Sequence, residues 1–186
     1  VLPILPALCA SSPVIGGKST GLLDTRLRYY RTNQEKIPSI TGSVIPEAVF
    51  SHAEYQQTIY DKIKSDIAPF DQEEILDPIW VNSRGAIPRF DRGSIEIRLM
   101  DVQECPAADL TIQTLVIETI KALVRGEFIS LQDQMKWSEE PLAQILEAGV
   151  EKAEQAIISN QEFLNVFGSE ATSLTMGELW KHIFNR

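Results

Sequence analysis

Arg92-Gly93-Ser94-Ile95-Glu96-Ile97-Arg98-Leu99-Met100-Asp101 is the stretch on which the reading of this chain turns. Its residues alternate, so Ser94, Glu96, Arg98 and Met100 project to one face of a strand and Ile95, Ile97 and Leu99 to the other. At a rise of about 3.3 Å per residue, side chains two apart on a strand lie about 7 Å from each other. Glu96 and Arg98 therefore stand side by side. A carboxylate can bind a hard cation such as Mg²⁺, which keeps substrate phosphates in its shell. A neighbouring guanidinium can take a phosphate bidentately. The pair suits a metal–phosphate unit, and the same alternation also describes an ordinary solvated strand face.

Upstream of this strand, Ile79-Trp80-Val81-Asn82 reads as an antiparallel neighbour, with Gly85, Pro88 and Gly93 in the connecting loop. Downstream of Pro106, Leu110, Leu115, Ile117, Ile120 and Leu123 predict a long helix ending near Gly126. Ser51 with Glu54 reads as a capping box, opening a helix on which Tyr55, Ile59, Ile63 and Ile67 recur every fourth residue before Pro69. Leu2 to Ala10 reads as the end of a buried helix, stopped by Ser11-Ser12-Pro13 and Gly16-Gly17, with a short helix over Leu22 to Arg31 beyond it. From Ser138 onward the pattern is helical. One helix covers about Ser138 to Ile158, a short one carries Phe163 to Phe167, and the last opens at a capping box, Thr175 with Glu178. The class is α+β, antiparallel strands packed by helices, with more helix than strand.

At 186 residues, 44% hydrophobic and 23% charged, the chain has the composition of a folded globular protein. Its net charge of −9 argues against general binding to nucleic acid or to an anionic membrane, both of which need basic surface. Cys9 and Cys105 are too few for a disulfide framework or a four-thiolate zinc site, which favours a reduced, cytoplasmic setting. No apolar run approaches the roughly 20 residues needed to span a bilayer. Gly16-Gly17-Lys18-Ser19-Thr20 is not a P-loop, because Ser12 stands where the first glycine is required. His52 and His182 have no ligand partner at a zinc spacing. Leu23, Leu27 and Tyr30 form a buried helical stripe rather than a nucleic-acid patch with Arg26, Arg28 and Arg31. Ile145, Leu146, Val150, Ala153 and Ile157 form a second stripe, read as core or as a contact between copies of the chain.

The central strand and the long helix after it resemble the glutamate–cysteine ligases of the second type, or carboxylate–amine ligases, which share a catalytic fold with glutamine synthetase. The resemblance rests on four features in order. They are Leu5 to Pro13 followed by Gly17, Thr20-Gly21 and Arg26; the pair Trp80 and Arg84; the strand Arg92 to Asp101; and the apolar helix from Ala107. It implies that residues 1–126 are the C-terminal half of the ligase catalytic domain and residues 127–186 a helical extension packed on it. The partner would then be the N-terminal half of the same enzyme, which carries the other metal ligands, so that this piece alone is inactive. The implied reaction uses Mg²⁺ and ATP to phosphorylate a glutamate carboxylate, and an amine or amino acid then attacks the acyl phosphate. In these terms Glu96 is the metal ligand, and Arg98 and Arg84 are catalytic, Arg98 holding the transferring phosphate and Arg84 facing phosphate or the substrate carboxylate. Arg26, Thr20 and Gly21 serve the substrate. The interval from Arg84 to Glu96 is longer than the resemblance leads one to expect, so Arg89 or Arg92 is an alternative phosphate-facing arginine. A half-domain exposes apolar surface, which makes a homo-oligomer possible. The competing reading is a non-catalytic interaction or regulatory module that retains the scaffold.

Overall fold

Prolines open the chain, and each sits where a first helical turn tolerates a missing N–H. The computed structural model, which describes residues 1–186, begins with a 3-10 turn (Leu2–Ile4) that runs into α1 (Pro6–Cys9). Strands β1 (Val14–Ile15) and β2 (Lys18–Ser19) form a tight hairpin. Gly16 and Gly17, at φ 58° and 77°, supply the positive-φ pair that such a turn requires. Asp24 then caps α2 (Thr25–Thr32) by accepting the Leu27 N–H at 2.8 Å.

The predicted helix from Ser51 is present but interrupted: α3 (His52–Tyr55), a π-helical turn (Gln56–Tyr60) and α4 (Asp61–Ile67) run on without a break. A strict four-residue repeat outruns the 3.6 residues of an α-turn, so Tyr55, Ile59, Ile63 and Ile67 would drift around a regular helix. The wider π turn takes up that drift, and all four side chains are buried on one face.

The next segment corrects the expectation of a strand at Ile79–Asn82. Asp77 accepts the Ile79 N–H at 2.8 Å and Pro78 occupies the first helical position, so the segment forms α5 (Pro78–Val81). The strand that pairs with the decisive stretch is β3 (Ala86–Arg89), in the interval read as loop; its partner is β4 (Ser94–Ile97). In a two-stranded ribbon one edge of each residue is free, so Pro88 interrupts no further ladder. A four-residue turn ending in Gly93, at φ 62°, joins them.

Helix α6 (Pro106–Val124) follows, then α7 (Leu131–Gln134) and α8 (Glu139–Lys152). Helix α8 stops short of the expected Ile158. Ala153 turns to φ 46°, and Ile157 leaves the buried stripe for β5 (Ile157–Ile158), where it is 66% exposed. After α9 (Gln161–Val166), β5 pairs with β6 (Leu174–Thr175), which leads into α10 (Met176–Phe184) through the predicted capping box. Three separate two-stranded antiparallel ribbons among ten helices make the fold α+β.

Two apolar clusters hold these elements. The larger draws Ile4 and Leu5, Leu27, Leu99, Val116, Leu146, Leu164, Leu179 and Trp180 into one core, and therefore takes residues from both sides of position 126. The Trp180 indole donates to the Ile4 carbonyl at 2.7 Å, joining the last helix to the first turn. The smaller cluster packs Ile40 against Tyr55, Ile59, Tyr60, Ile63 and Ile67. Each such fully buried aliphatic side chain contributes about 1.5–3 kcal/mol. No helix is long and apolar enough to cross a membrane.

Candidate functional site

The site is built on the β3–β4 hairpin. In its register Ile87 lies opposite Glu96 and Arg89 opposite Ser94, and directly opposed residues share a face. One face of the ribbon thus presents Arg89, Glu96 and Arg98 together. Glu96 sits between the two cations: Arg98 Nε donates to its Oε1 at 2.7 Å, and Arg89 Nη1, on the diagonal, donates to its Oε2 at 3.0 Å. The Arg98 guanidinium first, and Arg89 after it, hold the Glu96 carboxyl below the usual range.

The two arginines differ in what they have left to offer. Arg89 is nearly buried, spends Nε and Nη2 on Asp91, and lies 5.1 Å over the Trp80 ring. Asp91 and then Glu96 raise its pKa further, and Arg89 in turn depresses that of Asp91. Arg98 uses Nε on Glu96 and one Nη1 hydrogen on the Asn82 carbonyl at 2.6 Å. Of the five N–H groups of a guanidinium, these two are committed, the Tyr30 hydroxyl lies beside the remainder, and the Arg98 side chain is 23% exposed. It is the cation of the group able to grip an anion.

The structure keeps Arg84 out of this group. The residue is 2% exposed and bound bidentately by Glu47, with Nε and Nη2 each 2.5 Å from a carboxylate oxygen. Its Nη1 donates to the Ser39 carbonyl at 3.1 Å and to Asn82 Oδ1 at 3.0 Å. Burial pushes the Glu47 carboxyl up, but Arg84 more than offsets this and leaves it below its ordinary value. Arg84 is a buried tie between segments rather than a free phosphate donor. Arg92 is exposed on the turn and pairs with Asp91 at 3.2 Å. The tryptophan–arginine pair observed is thus Trp80 with Arg89.

Arg26 is also spoken for. From α2 it donates to the Leu99 carbonyl at 2.5 Å and to Ser11 Oγ at 3.3 Å, and it lies 3.5 Å from Asp101. This clamps the end of the decisive stretch to the turn after α1. Thr20 and Gly21 sit beyond β2. Thr20 Oγ1 is 2.5 Å from Thr25 Oγ1, and neither residue bonds to the β3–β4 hairpin. His52 is exposed with its ring edge against Phe90, and His182 Nε2 faces the Phe167 carbonyl at 3.0 Å. Nowhere do three His, Cys, Asp or Glu side chains converge into an all-protein metal cage.

Sequence reasoning missed Glu47, Asn82, Asp91 and Tyr30. Tyr30, assigned to a core stripe, donates its hydroxyl to the Arg84 carbonyl at 3.5 Å; burial raises its pKa, against the pull of the nearby Arg98. Asn82 carried a readable signal. An Asn two residues before Arg84, at a helix end, can close a turn on the following backbone, and Asn82 Oδ1 does accept the Arg84 N–H at 3.3 Å.

The hairpin thus carries a carboxylate clasped by two guanidiniums and leads into the long helix α6. The model of glutamate-cysteine ligase family 2 matches residues 1–156, and the chain belongs to that family. An uncharacterized protein of Archaeoglobus fulgidus is 39% identical over 134 residues, which is 70% of this chain and 34% of that protein. The chain thus spans about a third of the length of the curated relative it matches. No solved structure gives a significant match.

Proposed function

We propose that this chain supplies part of the catalytic surface of an ATP- and Mg²⁺-dependent carboxylate–amine ligase. In this reading a side-chain carboxylate, that of glutamate, attacks the γ-phosphorus of ATP and ADP leaves. An amine then attacks the acyl carbon and phosphate leaves. The observation that carries the reading is Glu96 between Arg98 and Arg89 in a member of a ligase family, with Arg98 partly exposed and keeping N–H groups beyond those given to Glu96 and the Asn82 carbonyl. Arg98 is assigned to the transferring phosphoryl group, whose spread charge is met by preorganised donors. Arg89, stacked on Trp80, holds Glu96 in register.

Magnesium takes one or two carboxylates and completes its shell with phosphate oxygens and water. Glu96 fits as one such ligand but does not make a site alone, since both its oxygens accept from guanidiniums. When bound, the ion would offset charge on the phosphates. The remaining carboxylates belong, in this proposal, to the N-terminal half of the complete protein. Residues 1–126 carry the site and 127–186 support it. Arg84 acts by fixing the backbone. Arg26, Thr20 and Gly21 border the substrate side, and Arg92 lies at the rim.

The test is Mg²⁺-dependent ADP release by the complete protein with glutamate and a panel of amino-acid acceptors, beside Glu96→Gln. Release that needs glutamate plus one acceptor, and falls at least a hundredfold in Glu96→Gln, is the expected result. Full turnover in that variant overturns the metal assignment. No release from the folded wild type, with any acceptor, favours the non-catalytic scaffold.

A further inference from the structure

The geometry points to Asn82 as the positioning residue of the site, the group that fixes Arg98 against Glu96. Asn82 is fully buried and every polar atom of its side chain is used. Its main-chain carbonyl takes Arg98 Nη1 at 2.6 Å. The side-chain Oδ1 takes both the Arg84 N–H at 3.3 Å and Arg84 Nη1 at 3.0 Å, and Nδ2 donates to the Tyr55 hydroxyl at 2.9 Å. One residue thus joins Arg98, the Arg84–Glu47 pair and the smaller core.

The physical argument concerns the carbonyl. It belongs to the residue that ends α5, outside any ladder, where the backbone has no regular partner to hold its direction. The turn closed by Oδ1 on the Arg84 N–H restrains the peptide that follows, and the bond to Tyr55 restrains the side chain that closes it. The hydrogen bonds that fix Arg98 run to Glu96 and this carbonyl, with the Tyr30 hydroxyl alongside the guanidinium. If the carbonyl swings away, Glu96 is left as the main anchor, and misplacing a positioned group by about 1 Å can cost about a hundredfold in rate. Alanine removes the restraint. Aspartate keeps an oxygen for both Arg84 donors and can accept from Tyr55 in place of donating to it.

Two measurements test this, and only the second rests on the ligase reading. The first is hydrogen exchange of the Arg98 Nε–H by nitrogen-15 NMR on this chain, with Arg89 Nε–H as the internal reference. Asn82→Ala is expected to speed exchange at Arg98 at least tenfold and to leave Arg89 within twofold. Asn82→Asp is expected to restore Arg98 to within threefold of wild type. Tyr55→Phe, which removes only the Nδ2 partner, should fall between, and it keeps the test open if the alanine variant does not fold. Unchanged exchange at Arg98, or equal acceleration at Arg89 and Arg98, overturns the proposal, because the second pattern is general loosening. The second measurement is ATP turnover by the complete protein. Asn82→Ala should lower kcat at least tenfold with KM for ATP moved less than threefold, and Asn82→Asp should recover it. A silent wild type with Arg98-selective exchange refutes the ligase and supports the positioning role. An active wild type without selective exchange does the reverse.

Discussion

Replacing Glu47 by alanine isolates the most committed ion pair of the molecule. Arg84 is buried and Glu47 holds it through two 2.5 Å bonds, so the substitution strands a guanidinium away from water. Breaking a buried pair from one side costs about 3–5 kcal/mol. Two features reduce that here. The Glu47 side chain is 28% exposed, so water can enter the vacated space, and Arg84 keeps the Ser39 carbonyl and Asn82 Oδ1. About 2–3 kcal/mol at pH 7 is the expected loss, by the same reasoning on buried charge. For a chain of this length each kcal/mol moves Tm by about 2–4 °C, which gives a fall of about 4–12 °C. Urea and thermal unfolding followed by circular dichroism measure it directly. Acid supplies the control. The folded Glu47 carboxyl lies below its ordinary value of 4.5, so its contribution is present above that pH and disappears as pH falls through the depressed value. The gap between wild type and Glu47→Ala should therefore close in acid. A difference under about 0.5 kcal/mol at pH 7, the scale of an ordinary surface change, would refute the bidentate hold. So would a gap that stays constant from pH 7 down to pH 3.

Asp24 is fully buried and its Oδ2 has no hydrogen-bond partner, and burial raises its pKa. Any stability from this group is present at low pH and is lost as pH rises through the raised value. Asn caps as well as Asp, so Asp24→Asn should equal or exceed wild type in Tm at pH 8 and match it near pH 4; a drop of several degrees at pH 8 would contradict this. Thr175→Ala removes the hydroxyl that accepts the Glu178 N–H at the start of α10, leaves the Thr175 N–H to Glu178 bond in place, and should lower stability by about 1 kcal/mol, read from the urea midpoint. A chromogenic thiol reagent at pH 8 should modify exposed Cys105 rapidly. Cys9, buried and with its thiol pushed up to about 11, should react only on unfolding; two fast thiols would mean that the core beside Leu5 and Leu99 is open.

Where the sequence was readable, short-range chemistry set the outcome. The alternation of residues 94–100 placed a strand where β4 forms, though it ends at Ile97 rather than Met100, and put Glu96 beside Arg98, because side-chain direction on extended backbone follows from neighbours alone. Thr175 with Glu178 closed as a capping box for the same reason. Ser51 capped as read, but Glu54 reached past it to the Phe50 N–H. The errors were of two kinds. Ile79 to Val81 is apolar and too short for its period to distinguish helix from strand, and the Asp77-Pro78 start signal decided it. Pro88 and Gly85 disguised β3 as loop, although a two-stranded ribbon tolerates both. The site's supporting residues lay beyond reach for a different reason. Glu47 meets Arg84 across 37 positions, and Tyr55 meets Asn82 across 27, and no local pattern encodes contacts that tertiary packing alone creates.

The division into two apolar clusters bears on how the molecule opens. Packed units of this kind unfold separately, at free energies below that of the whole. The smaller cluster holds only six buried residues, one of them Tyr55, whereas Leu99, just beyond β4, is anchored in the larger. A partial melting of residues 55–67 would therefore free Asn82 from Tyr55 and release Arg98, while Glu96 stayed paired to its ladder neighbour across the hairpin. Anion affinity would then fall with rising temperature well before the circular dichroism of the larger cluster changed, and the steepness of that fall would report the cooperativity of a single foldon.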